Sequence, residues 1–177
     1  MEAALKIFAR RGLIGTKMSM ISAEAGISQG LMYRYFTSKD ELFIKLIERA
    51  MNDSVTGIRK IYQIPGSPME KLKVLTDIIL EEDGQLYFLL IHHARTSDEV
   101  PEAVKKLLSD YSMEKYIKLL EPLILEGQQL GEIVEGDYRE IISNYFIVLS
   151  GLMTLDIHHN DDYQMPKTEF LLRMMEK

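Results

Sequence analysis

Residues 16–36 read Thr16-Lys17-Met18-Ser19-Met20-Ile21-Ser22-Ala23-Glu24-Ala25-Gly26-Ile27-Ser28-Gln29-Gly30-Leu31-Met32-Tyr33-Arg34-Tyr35-Phe36. The pattern predicts a short helix over about Met18 to Ala25, with Thr16 or Lys17 at its mouth. Gly26-Ile27-Ser28 reads as a tight turn, and a second short helix follows from about Gln29 to Tyr35. These are helix-turn-helix proportions. Gly26 can take the left-handed conformation that ends the first helix without a Cβ clash. Ser28 can cap the second helix with its hydroxyl. Ile21, Ala25, Ile27 and Met32 are expected to form the small core that sets the angle between the two helices. An earlier apolar stripe, Ala4, Leu5, Phe8 and Ala9, stops at Gly12 and completes a three-helix head.

Working outward, helical periodicity continues along the chain and strand signals are nearly absent. Ser38 and Glu41 fit a capping box at the mouth of a long helix. Its apolar positions keep the helical period to Ile61, and Pro65-Gly66 stops it. Ser67-Pro68-Met69-Glu70 restarts the chain with a second capping box and proline in the first turn. Helices are then expected to about Asp83, from about Gln85 to Arg95, from Pro101 to about Leu130 with a kink at Pro122, from Asp137 to about His158, and from Pro166 onward. The expectation is an all-α protein of about nine helices: a head over residues 1–47 and a helical domain over residues 48–177.

Composition narrows the function classes. The chain has 177 residues, 46% apolar and 27% charged, which suits a soluble globular protein. No apolar run approaches the ~18 residues of a membrane span. Lys6, Arg10 and Arg11 interrupt the only apolar stretch near the start, so no signal peptide is expected and the cytoplasm is the default location. With no cysteine, disulfides, thiol nucleophiles and thiolate metal sites are excluded. The net charge of −6 is uneven: residues 1–50 carry +3 and residues 51–177 carry −9. A basic head on an acidic body puts attraction for phosphate at one end.

The run Gly12-x-x-x-Thr16-x-Met18-x-x-Ile21-Ser22-x-x-Ala25-Gly26-Ile27-Ser28-x-Gly30-x-Met32-Tyr33-x-Tyr35-Phe36-x-Ser38-Lys39-x-x-Leu42 resembles the N-terminal signature of the tetracycline-repressor (TetR) family. The resemblance covers about residues 3–47. It implies a ligand-responsive transcription regulator, commonly a repressor, whose second short helix enters the major groove of a palindromic operator in double-stranded DNA. Gln29 would then pair with adenine, and Gly30 would let the backbone come close to a phosphate or base edge. Leu31 departs from the small polar residue often found there and could touch a thymine methyl. Tyr33, Tyr35 and Lys39 would donate to phosphates, as would the Thr16 side chain or the first N–H groups of its helix, at Lys17 and beyond. Arg34 would reach phosphate or base. Ser28, as the cap, completes the interface. No basic arm precedes Glu2, so no minor-groove contact is expected from the start of the chain as given.

Reading a palindrome takes two heads, so the resemblance also implies a homodimer, formed by the last two large helices of each subunit. Ile147, Ser150, Gly151 and Thr154 form a stripe with small residues on a helix that is otherwise apolar nearly all round, and Phe170 and Met174 enrich the final helix. The resemblance further implies an effector pocket among the helices between residues 50 and 150. Tyr62, Tyr87, Phe88, Ile91, His92, Tyr111, Met113, Tyr116, Ile117, Leu120 and Tyr145 are the candidates to line it. Apolar walls with a few polar tips suit a mostly apolar small molecule; plain core packing is the competing reading for each residue. The long helix from Ser38 would link head and sensor, and its tilt would carry the response.

Two other readings compete. His92-His93 and His158-His159 are adjacent pairs, and neighbours on a helix point about 100° apart, so neither pair makes a two-ligand metal face. His158, His159, Asp161 and Asp162 could hold a metal loosely. No catalytic motif is visible, and neither an enzyme nor a cofactor is expected. The other alternative is a helical adaptor of the same fold that binds protein rather than DNA.

Overall fold

The computed structural model describes residues 1–154 and 165–177. Its helices run in the order α1 (Glu2–Arg11), α2 (Met18–Glu24), α3 (Gln29–Tyr35), α4 (Lys39–Ile61), α5 (Pro68–Leu80), α6 (Glu82–Thr96), α7 (Glu102–Asp110), α8 (Met113–Gln129), α9 (Tyr138–Thr154) and α10 (Thr168–Leu172). Among the described residues there is no strand, only an isolated bridge between Ile133 and Glu176. The expected single helix from Pro101 to Leu130 is two. Tyr111 leaves helical geometry at φ −111°, ψ 54°, and Ser112 restarts the chain in extended backbone. Pro122 lies inside α8 without ending it. The end of the helix expected to reach His158 lies outside the described residues, as do His158, His159, Asp161 and Asp162.

By packing the chain divides into two units. One holds residues 1–53 and 82–111, the other residues 54–81 and 112–177. This differs from a cut at residue 47, because α6 and α7 belong with the head. In this first unit α6 lies along α1. Phe8 and Ala9 of α1, Phe43 and Ile47 of α4, and Leu90 and Ala94 of α6 share one core. Phe8 and Phe43 meet edge to face at 5.0 Å between ring centres.

In the second unit α8 packs on α9, and α5 contacts both α8 and α10. Its core includes Leu72, Leu120, Leu123, Ile142 and Tyr145. The Ser67 capping box forms as expected, with both reciprocal bonds to Glu70. Gly127 allows the closest approach in this unit: a Cβ there would lie 2.4 Å from Ile133 Cδ1 and 3.2 Å from Pro68 Cβ.

Candidate nucleic-acid interface

Local rules build the helix-turn-helix. At the end of α2, Gly26 adopts φ +65°. The Gly26 N–H donates to the Ala23 carbonyl at 3.1 Å and the Ile27 N–H to the Ser22 carbonyl at 3.0 Å. This is the Schellman arrangement, and it closes α2 on its own carbonyls. Ser28 then caps α3, its hydroxyl accepting from the Leu31 N–H at 3.2 Å. The inner core is smaller than expected. Ile21 and Met32 are buried, but Ile27 is 37% exposed and Ala25 is also exposed, because the Schellman bonds turn the chain outward there.

Only Met32 of α3 is buried. Gln29, Gly30, Tyr33, Arg34 and Tyr35 are exposed and Leu31 is half-buried. Tyr33 and Tyr35 keep 47% and 69% of their surface in solvent. A seven-residue helix with one anchor and the rest outward is suited to being read by a partner. Gly30 has ordinary helical backbone and nothing within 4 Å of where a Cβ would sit. The fold therefore does not require glycine there, and the open backbone is available for close approach.

Two expected DNA contacts are corrected. Thr16 is buried, and its hydroxyl donates to the Gly12 carbonyl at 2.6 Å. It cannot reach a phosphate, which leaves Lys17 and the first N–H groups of α2. Lys39 is half-buried. Its ammonium donates to the Leu13 carbonyl at 2.6 Å and the Thr16 carbonyl at 3.0 Å, so it is not a free cation reaching outward. Lys17 is exposed at the mouth of α2.

The corner between α3 and α4 is held by Glu41. Its carboxylate accepts from the Thr37 N–H at 2.7 Å and the Thr37 hydroxyl at 2.6 Å, and pairs with Lys45 at 2.7 Å. Lys45 also lies 5.5 Å from the centre of the Phe36 ring. The Lys45 ammonium and the Thr37 donors together hold the Glu41 carboxyl down at about 2, from an ordinary 4.5. A depressed carboxylate adds stability above its ordinary value and loses it as pH falls toward the folded value. Glu41→Gln is therefore expected to melt below wild type at pH 7, with the difference shrinking from pH 4.5 to pH 2, as read by thermal melts across that window.

The expected effector residues divide between the units. In the first, Tyr87, Phe88, Ile91 and Tyr111 are half-buried and His92 is exposed; the Tyr111 hydroxyl donates to Asn52 Oδ1 at 2.6 Å. In the second, Tyr62 and Met113 are 38% and 43% exposed, and the Tyr62 hydroxyl donates to the Leu119 carbonyl at 2.5 Å. Tyr116 shares a hydrogen bond with Ser54 at 2.8 Å. Ile117, Leu120 and Tyr145 are core residues of this unit, and burial pushes the Tyr145 phenol up. Gly57 is a helical glycine on α4. It is half-buried with nothing within 4 Å of a Cβ position, so packing does not require glycine there.

On the second unit, Ile147 and Phe170 are 63% and 65% exposed, and Val148 and Met174 follow at 36% and 39%. Gly151 is exposed, while Ser150 and Thr154 are half-buried, with the Thr154 hydroxyl donating back to the Ser150 carbonyl at 2.8 Å. A groove of about 420 Å³ runs between Ile141, Ile147, Val148, Met174 and Met175, with Glu135, Asp137 and Glu140 on its wall. Among the described residues no group of three His, Asp or Glu side chains is placed to hold a metal ion, and no helix is long and apolar enough to cross a membrane.

The helical fold and the outward-facing α3 define a helix-turn-helix DNA-binding protein. Residues 1–46 match the family model described as "Bacterial regulatory proteins, tetR family". The fatty acid metabolism regulator protein of Bacillus subtilis is 24% identical over 169 residues, covering 93% of this chain and 84% of the relative. Two further regulator relatives are longer, and the chain spans 55% and 60% of them. Among solved structures, a TetR-family transcriptional regulator from Agrobacterium tumefaciens superposes with a TM-score of 0.76 at 18% identity, covering 99% of this chain and 97% of that one. The fatty acid degradation regulator FadR of Bacillus halodurans superposes with a TM-score of 0.67 at 24% identity, covering 97% and 88%. These structural likenesses establish the fold. The match to the tetR family model is confined to the head, residues 1–46, and the chain is a DNA-binding transcriptional regulator.

Proposed function

We propose that the chain acts in the cytoplasm as a homodimeric repressor, released from a palindromic operator by a small, mostly apolar effector, and that it catalyses no reaction. The observation that carries the DNA reading is α3, with Met32 as its one buried side chain. Gln29 is the base reader, paired with adenine. Tyr33, Tyr35 and Lys17 donate to phosphates, Arg34 reaches phosphate or base, and Leu31 meets a thymine methyl. Two similar proteins are named as fatty acid regulators. These names favour an effector with an acyl chain. The expected mode of action is a population shift toward a state that binds operator poorly.

The test is selection of bound duplexes from random sequence, followed by titration of the selected operator with and without palmitate. Recovery of a palindrome supports the DNA reading, and weaker binding with palmitate supports the effector class. No bound duplex at low salt, where phosphate contacts are strongest, overturns the reading in favour of a protein-binding adaptor. Tyr33→Phe is expected to weaken every duplex alike, by about tenfold or less. Gln29→Ala is expected to relax preference at one base position, an effect of ~1–3 kcal/mol on discrimination. Equal losses on all sequences from both variants refute this division of roles.

A further inference from the structure

We infer that Lys39 is a positioning residue for DNA binding: it sets the segment entering α2 and does not itself neutralise a phosphate. This rests on the DNA-binding reading above.

The side chain starts at the first residue of α4 and reaches back 26 residues in sequence to the Leu13 carbonyl, and 23 to the Thr16 carbonyl. Both carbonyls belong to the short connection between α1 and α2. Segments of this kind hold one conformation only when their backbone polar groups are satisfied. Here Lys39 satisfies two of them. A third tie comes from the buried Thr16 hydroxyl on the Gly12 carbonyl, so the connection is fixed at Gly12, Leu13 and Thr16.

The peptide plane shows what the tie does. In a trans peptide the carbonyl and the next N–H point in opposite directions. Because the Thr16 carbonyl faces Lys39, the Lys17 N–H faces away from it. Lys17 is then extended, at φ −118°, ψ 147°, and opens α2. Its side chain is exposed. Lys39 thereby fixes the direction in which Lys17 is presented. An arginine or glutamine at position 39 lacks the compact ammonium that fits between carbonyls from two turns of chain.

Lys39 forms no ion pair with a carboxylate among the described residues, so a phosphate contact is the competing role, and salt dependence separates the two. A lysine that neutralises one phosphate contributes about 0.9 to the slope of log affinity against log salt on duplex DNA. A positioning residue contributes nothing to that slope. The experiment uses the full chain and its selected operator. Lys39→Met is expected to lower affinity about tenfold with the slope unchanged, and to speed amide exchange at Leu13 to Lys17 while leaving α4 and α6 protected. Lys17→Met, measured beside it, is expected to lower the slope by about two, one contact from each subunit of the dimer, with exchange unaltered. A slope reduced by about two in Lys39→Met, with exchange at residues 13–17 unchanged, overturns the inference and leaves the DNA-binding reading standing. Unchanged affinity in Lys39→Met overturns it too. Should Lys39→Met lose protection throughout the first unit, Lys39→Arg, which keeps the charge, decides: a protected first unit with weakened affinity and an unchanged slope supports positioning, and wild-type affinity or a first unit still unprotected overturns it.

Discussion

Ile147→Asp is expected to give a folded monomer that binds operator about a thousandfold more weakly than wild type. Ile147 is 63% exposed in the single chain, so aspartate costs little in the fold of the subunit. In a two-fold dimer the same patch meets itself, and each substitution appears twice. Two carboxylates would then be desolvated against Val148, Met174 and the groove they line, with Glu135, Asp137 and Glu140 adding repulsion. Losing the dimer removes the second head, and linked heads commonly gain 10²–10⁴ in avidity. Sedimentation velocity and an operator titration measure both effects. A dimeric Ile147→Asp with normal affinity refutes the assignment of this face.

Tyr145→Ala is expected to cost ~3–5 kcal/mol, the range for truncating a large buried aromatic. The side chain is 1% exposed. Its ring meets Phe146 edge to face at 5.2 Å, and its hydroxyl shares a hydrogen bond with Thr76 at 2.9 Å. Against a total stability of ~5–15 kcal/mol, that loss leaves little margin. Tyr145→Phe keeps the ring, and the Thr76 hydroxyl keeps its bond to the Leu72 carbonyl at 2.8 Å, so ~1 kcal/mol is expected. Denaturant unfolding of both variants checks the ratio. Equal losses would place the energy in the hydroxyl bond rather than in the packed ring.

The parts legible in the sequence were those whose cause is local. Gly26 and Ser28 announce α3 because a Schellman end and a serine cap need only neighbours within a few residues. Ser67 and Glu70 announce α5 for the same reason. Periodicity identified the faces of α4 and α9 without naming what covers them. The misreadings arise where spacing carries no signal or where the partner is distant in sequence. Thr16 looked like a surface donor because nothing in its spacing shows that the Gly12 carbonyl lies within reach of its hydroxyl. Lys39 looked like a free cation because its acceptors lie 23 and 26 residues away. For Tyr145 and Leu120 the sequence left pocket wall and core open, because an apolar helix face reads the same whether it lines a cavity or fills a core; both are buried in the second unit. The break between α7 and α8 went unseen because Tyr111-Ser112 carries no glycine or proline.

The pairing of α1 with α6 has a consequence for anyone who would transplant this reader onto another sensor. Excised at residue 47, the fragment would carry Phe8 and Ala9 without Leu86, Leu90 and Ala94 to shelter them. A graft that is to behave as a soluble module must bring residues 82–111 along, so the swap calls for three crossovers rather than one.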